Sequence, residues 1–478
     1  MNNNRYNNYH KHSHESNPKT LDCVVKPIDY INRALELGHT TYFTTEHGWS
    51  GKFLESYDLC KKNNLKMIYA TEAYIVKDRY EKDKTNAHIM MIAKNNNGFK
   101  QINKIMSESN KTGFYYKNRI DIELLMQLNS NDVYITTACV AGIASSAFNV
   151  DDFILPIKNH FTENFYLEVQ SHNHQVQIDH NKHILNLSKK YNISIIHAND
   201  SHYIYPEQSK DRDLFLKGKG IVYEEETGFI LDYPDYKTAI ERYLKQKVLS
   251  SDDIKIALEN TLIFDDCEDL RFTKNIKMPK FKHDTDSNVL LKQILNEKFK
   301  KEIPNIDRSK YKEYIEAIRF EANIIEKTNM ADYFLWNEKI TDRAVNVYNG
   351  ILSKGGRGSC VSNYTNKLFG FTEIDRLEAE ITLYPTRFMS IARILETGSL
   401  PDIDFNWADV EAPIKASKDL LGEDGVYYMY ALGTMQESEA FRNLCRAYNL
   451  KMEEYNEVGK NLDAFREDSY WGKYIKES

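Results

Sequence analysis

Residues 192–203 read NISIIHANDSHY, a short apolar run that stops in groups able to hold a cation: Asn199, Asp200, Ser201 and His202. Ile193–His197 is too short for a helix and rich in β-branched residues, so it reads as a strand. The same pairing recurs upstream. Thr41–Thr45 leads to Glu46-His47-Gly48, Met67–Ala70 to Thr71-Glu72, and Val133–Thr137 to Ala138-Cys139. Further strand-like runs cover His88–Ala93 and Phe165–Val169, while Lys26–Leu37 and Phe53–Asn63 have helical periodicity. Strand and helix in alternation imply a mainly parallel α/β sheet with helical crossovers, open or closed into a barrel. In such folds the carboxyl ends of the strands form one face, where distant residues converge. His10, His12 and His14, in HKHSH, lie upstream of them all. A single histidine after a strand is usually structural, and a single cysteine usually a small buried hydrophobe. Their recurrence at successive strand ends favours a metal site instead.

The chain has 478 residues, long enough for about three domains at roughly 150 residues each. Hydrophobic residues make up 41% and charged residues 28%, which excludes wholesale disorder. No apolar run reaches the roughly 20 residues of a membrane helix, and the N-terminus lacks a secretory apolar core. Six scattered cysteines, never as CxxC, fit a reducing cytoplasm, so the expected location is cytoplasmic, with no membrane partner. The net charge of -7 gives no support to nucleic-acid binding, yet a local cationic groove is compatible with an acidic whole. An Asn-rich polar opening is expected to be loosely held unless something fixes it. Residues 206–282 lean helical and end in IKMPKFKH, a linker-like stretch; 284–345 are rich in helix formers, and a helical tail runs from about Met435.

The first region resembles the PHP (polymerase and histidinol phosphatase) domain found at the N-terminus of bacterial replicative DNA polymerase III alpha subunits. HKHSHES, TTEHG, YATEAYIV, AHIMMIAKN, TTACVAGI, YLEVQSH and HANDSHY carry the resemblance. It implies a distorted (β/α)7 barrel with metal ligands at His10, His12, Asp22, His47, Glu72, His88, Cys139, Asp200 and His202. Ser16 falls on the family's serine after the second ligand, and Asp22 sits at a longer spacing than usual. His14 departs from the ligand register and is read either as standing behind the ligands or, in preference, as solvent-facing. Nine competent ligands imply a cluster of up to three ions, zinc, manganese or iron, serving 3′–5′ exonuclease chemistry on DNA ends.

Gly355-Gly356-Arg357-Gly358-Ser359 is a turn whose backbone N–H groups and arginine suit phosphate. Asp402 and Asp404, in LPDIDFN, stand at i and i+2 and share one face of an extended chain. Each motif alone is common in ordinary loops and strands. Together and in this order, with YPTRFMSIARI and ALGTMQESEAF, they resemble the palm of the same C-family polymerase. The resemblance implies that Asp402 and Asp404 are catalytic, holding magnesium. It places Arg357, Gly358 and Ser359 at nucleotide phosphates, with Arg387 and Arg393 as secondary phosphate contacts. Asn406 replaces the third acid of the usual DxDxD run. The family's remaining catalytic aspartate is expected beyond Ser478, with Asp463 and Asp468 poor substitutes, so no primer extension is expected from this chain alone.

The expected architecture is therefore an α/β PHP barrel with a helical extension over 1–282, a partial mixed α+β palm over 283–432 and the helical start of a thumb from 433. The partners implied are primer-template DNA, dNTP and a further polymerase segment carrying the rest of the palm, the fingers and the clamp-binding segment. Two other readings share these residues: a free-standing phosphoesterase whose second half binds DNA, and a metal-stabilised assembly partner without activity.

Overall fold

The computed structural model describes residues 5–145, 147–223, 226, 228–272, 279–281, 283–353, 355–429 and 431–462. They fall into two compact units, Met1–Phe272 with Leu432–Ser478, and Thr273–Ala431.

The first unit is built on ten strands: β1 (Thr41–Phe43), β2 (Glu46–His47), β3 (Lys66–Ile68), β4 (Ala70–Ile75), β5 (Ala87–Ala93), β6 (Phe114–Tyr115), β7 (Lys117–Ile120), β8 (Val133–Thr136), β9 (Phe165–Gln170) and β10 (Ile195–Ala198). The larger sheet runs β10-β9-β8-β5-β4-β7-β6, with β2 also paired to β4, and β1 pairs separately with β3. Pairing is parallel except where β5 runs against both β4 and β8, and where β6 meets β7. The expectation of a mainly parallel sheet holds, and the reversed β5 is its correction. Helices Pro27–Glu36, Phe53–Lys62, Asn96–Thr112, Val150–Phe161 and Gln175–Tyr191 supply crossovers. Where side chains cap these helices the residues are local: Asn95 accepts from the N–H groups of Asn97 and Gly98.

Successive residues on each strand point to opposite faces. On β5, Ala87, Ile89, Met91 and Ala93 pack outward under the helices, while Met90 and Ile92 point inward. Met90 and Ile92 join Tyr9, Phe43, Ile68, Ala70, Ala138, Ile196 and Ala198 in a second, inner core. Burial on both faces explains why the strands read as unbroken apolar runs.

The Asn-rich opening is not loosely held from Arg5 onward. Asn7 donates through its amide to Thr261 O and Asp265, and Asn8 donates to Ser201 Oγ. Lys11 pairs in parallel with Ser201, and the Lys11 N–H reaches Thr45 Oγ1. Residues 8–12 therefore bridge the end of β10 to the chain leaving β1. Buried asparagine amides pair with protein groups here in place of water.

Helices Ser209–Gly218, Tyr236–Gln246 and Ser251–Asn260 complete the unit, together with Glu437–Ala447 and Met452–Asn461. Asn443 donates to Phe215 O and Arg446 to Gly218 O. A Cβ on Gly218 would stand 2.3 Å from Asn443 O, so only glycine permits this approach. Asp463 and Asp468 lie outside the described residues, as do 276–278 and 282 of the linker-like stretch.

The second unit packs helices Ser287–Glu302, Tyr311–Lys327 and Ala331–Asn346 around Leu291, Leu295, Phe334 and Tyr364. A two-stranded antiparallel ladder, β11 (Leu352–Ser353) with β12 (Asn406–Trp407), lies beside helix Glu411–Leu421. Among the described residues no helix is long and apolar enough to cross a membrane.

Candidate metal centre

The carboxyl end of the first unit's parallel strands gathers the expected donors. Glu72 does not follow a strand, as the sequence reading placed it; it lies inside β4, whose inward positions are Ala70 and Glu72. His88 is the second residue of β5, opposite Tyr74. Because β5 is antiparallel, its beginning lies at the same end as the finish of β4. His47 sits on β2, opposite Glu72. Cys139 follows β8, and Asp200 and His202 follow β10, with Asp200 in the left-handed region at φ 50. A left-handed aspartate is uncommon, and here it turns the carboxylate toward His10 and His12.

Glu72 and Asp200 tie the group together. Glu72 Oε1 lies 3.2 Å from His10 Nε2 and 3.1 Å from His88 Nδ1; its Oε2 lies 3.5 Å from His12 Nε2 and 2.6 Å from His47 Nδ1. Asp200 Oδ1 stands 3.2 Å from His10 Nε2, 3.3 Å from His12 Nε2 and 3.7 Å from His202 Nε2. Asp22 Oδ2 is 2.6 Å from His47 Nε2 and 3.7 Å from His202 Nε2, and Cys139 Sγ is 3.8 Å from His88 Nδ1. All nine residues thus share one pocket, Asp22 included.

These atoms suit cations. His10 Nε2, His12 Nε2, His47 Nδ1, both oxygens of Glu72, Asp200 Oδ1 and both nitrogens of His202 are buried without a hydrogen bond. Only 2.6 Å separates His47 Nδ1 from Glu72 Oε2, yet neither atom is in hydrogen-bonding geometry. Buried polar atoms left so are costly unless an ion joins them. Separations of 3.1–3.7 Å match those between neighbouring ligands held about 2.1 Å from one ion. Four overlapping donor sets follow among the described residues: His10, His12 and Glu72; His12, His47 and His202; His47, Glu72 and His88; and Asp22, Cys23 and His202.

Electrostatics are mixed: burial lowers His10 and His47, but the acids beside them, Glu168 and Asp22 foremost, raise both above the usual imidazole range, so a cation would displace a proton there. Burial acts to raise the Glu72 carboxyl, but His88 and His47 hold it well below the usual range. Asp200 is likewise held down against burial by His10, His12 and His202. Burial pushes His202 down to about 3, Asp22 pulling the other way and Arg212 adding to the fall. Neutral imidazole is the form that binds metal. Burial, then Asp200 and Glu72, push the Cys139 thiol up, a bias that a bound cation reverses.

Three buried residues were missed. Glu46 accepts from the Ser13 N–H, Ser13 Oγ and Ser16 Oγ. Ser16 Oγ in turn receives the His47 N–H and lies 3.3 Å from His12 Nδ1. Arg212 donates to Asp22 O and pairs with Glu226. Glu168 stands 2.8 Å from His10 Nδ1. An acidic residue inside an apolar strand run, FYLEVQ, was the available signal for the last. His14 is half-buried with its Nδ1 at 3.2 Å from Val25 O, outside the cluster.

In the second unit, Asp402 and Asp404 precede β12, so the DxD is extended chain outside the paired strand. The expected alternation survives: Asp402, Asp404 and Asn406 are exposed while Ile403, Phe405 and Trp407 are half-buried. Gly358 (φ +61) abuts Asp404, and a Cβ there would come 2.1 Å from Asp404 Oδ2. Arg357 and Arg387 are exposed, Ser359 is half-buried, and Arg393 donates to Ser399 Oγ. Among the described residues none of these arginines pairs with Asp402 or Asp404. Gly358→Ala is expected to displace Asp404 and strain the turn by about 1–2 kcal/mol. Isothermal titration with magnesium and a nucleotide should show weakened binding; unchanged binding would separate the glycine from the carboxylate.

The α/β sheet and the donors clustered at its edge define a domain whose side chains could hold metal ions. The PHP domain family matches residues 8–172, and the bacterial DNA polymerase III alpha NTPase domain matches 289–477. The DNA polymerase III subunit alpha of Aquifex aeolicus is 26% identical over 469 residues, 92% of this chain and 40% of that protein. That of Borreliella burgdorferi is 28% identical over 474 residues, 94% of this chain and 40% of the relative. The chain carries a PHP domain followed by the NTPase domain and corresponds to the N-terminal part of DNA polymerase III alpha subunits. It spans about 40% of the length of these relatives. A solved amidohydrolase from Chromobacterium violaceum overlaps 41% of this chain and 87% of its own at TM-score 0.25 and 10% identity.

Proposed function

We propose that the first unit is a metal-dependent 3′–5′ exonuclease acting on DNA ends, and that the second contributes two carboxylates, Asp402 and Asp404, to a magnesium-dependent nucleotidyl-transfer site. The observation that carries the first part is the bridging of five imidazoles by Glu72 and Asp200 in a single buried pocket. His10, His12, Glu72 and Asp200 would hold one ion; Asp22, His47 and His202 a second; Glu72, His88 and Cys139 a third. Zinc, manganese or iron bound there supplies a water that ionises near neutral pH and neutralises phosphoryl charge. The chain's own part is to fix the donors and keep bulk water from them. His202, kept neutral, needs no proton loss before binding. The DNA primer-template, dNTP and a further polymerase segment are the partners in this reading, acting in the cytoplasm of a bacterium or an infected one.

The full chain with manganese should release 3′ nucleotides from single-stranded or mismatched DNA, and a chelator should stop it. Gel analysis of end-labelled oligonucleotides measures this. Hydrolysis of a small phosphomonoester with intact DNA would put the chain among phosphatases instead.

A further inference from the structure

Glu168 is a fully satisfied carboxylate in the wall of the barrel, 1% exposed. Its Oε1 accepts from Gln170 Nε2 at 2.7 Å and lies 2.8 Å from His10 Nδ1. Its Oε2 accepts from Tyr9 O–H at 2.7 Å and from Thr136 Oγ1 at 3.3 Å. The Glu168 N–H donates to Thr137 Oγ1, so backbone and side chain are both fixed. With every other contact on this carboxylate a donor, the network assigns the proton to His10 Nδ1. In the neutral ring, the form that binds metal, the lone pair then sits on Nε2, the atom that faces Glu72 and Asp200 at 3.2 Å.

His12 has no carboxylate in direct contact with its Nδ1, which faces the Ser16 hydroxyl at 3.3 Å, with Glu46 one hydrogen bond further back. His47 turns both of its nitrogens toward Asp22 and Glu72, which are themselves in the cluster. The carboxylate behind His10 is therefore specific to one side of the pocket.

We propose that Glu168 is a positioning residue that fixes the tautomer and basicity of His10, so that the ion shared by His10, His12, Glu72 and Asp200 depends on it while the ion held by Asp22, His47 and His202 does not. This rests on reading the nine donors as a metal centre. A carboxylate behind a ligating histidine orients the ring and raises its basicity, and losing one typically costs 10–100-fold in metal affinity.

The test is zinc titration of the full chain in competition with a chromogenic chelator, a readout independent of nuclease activity. Glu168→Gln should weaken one zinc by about 10–100-fold and leave the others unchanged. In a His10→Ala background the same substitution should change zinc affinity no further, because its effect passes through that ring. Tyr9→Phe, which removes one donor from Glu168 but keeps the carboxylate, should weaken the same zinc by a smaller factor and guards against a folding defect in Glu168→Gln. Equal weakening of every ion, or full weakening in the His10→Ala background, would overturn the proposal. A wild-type chain that binds no zinc would sink the metal centre itself; a wild type that binds zinc with Glu168→Gln unaltered would sink only the role given to Glu168.

Discussion

Replacing Asp200 by Asn and His202 by Ala together is expected to abolish the proposed exonuclease activity while leaving DNA affinity largely unchanged. Asp200 Oδ1 faces His10, His12 and His202, and His202 faces Asp22, so the double change strips donors from both sides of the pocket. Removing a single charge-stabilising group from an active site typically costs about 10²–10³ in rate. The double variant should therefore lose at least that much. DNA affinity comes mostly from cations along the phosphate backbone, which neither substitution touches. Initial rates on a 3′-labelled strand, alongside fluorescence anisotropy of the same strand, make the comparison. Retained rate would mean that the cluster is not where cutting occurs.

Glu321→Ala is expected to cost the second unit about 3–5 kcal/mol, the range for breaking a buried charged pair. Glu321 is fully buried; its oxygens accept from the backbone N–H groups of Tyr364 and Thr365 and from Arg376 Nε at 2.7 Å. The helix Tyr364–Phe369 has no side-chain cap from Asn363 at its own N-terminus, so this carboxylate from another helix does that work. Its loss orphans two N–H groups and the guanidinium, which is only 11% exposed. Urea unfolding followed by tryptophan fluorescence should show a transition at lower denaturant. Glu321→Gln, which still accepts from the N–H groups, should lose less. A Glu321→Ala chain as stable as the parent would show that the network is replaced by water.

Six strand runs were legible because burial on both faces makes each a short apolar run, whereas β2, β6 and β7, with sequences EH, FY and KNRI, carry no such pattern and were not read as strands. β8 and β9 begin where the pattern places them, at Val133 and Phe165. Met67–Ala70 conceals a break: β3 stops at Ile68 and β4 begins at Ala70, and an unbroken apolar run carries no mark of a boundary between two strands. That concealment shifted Glu72 from inside a strand to beyond one. The reversal of β5 was equally hidden, since a buried strand reads the same in either direction, yet it is what brings His88 to the site. The Asn-rich opening misled for a different reason. Composition reports polarity, whereas the partners of Asn7 and Asn8 lie 254 and 193 residues away in sequence. Glu168 was visible as an acid in an apolar strand, but its meaning needed the distance to His10.

Diffraction from crystals soaked in manganese, with data collected at the manganese absorption edge, tests the central claim most directly. Anomalous peaks should fall within bonding distance of His10, His12, Asp22, His47, Glu72, Asp200 and His202, with His88 and Cys139 beside one of them. Peaks confined to surface carboxylates, with the pocket empty of anomalous signal, would contradict the account.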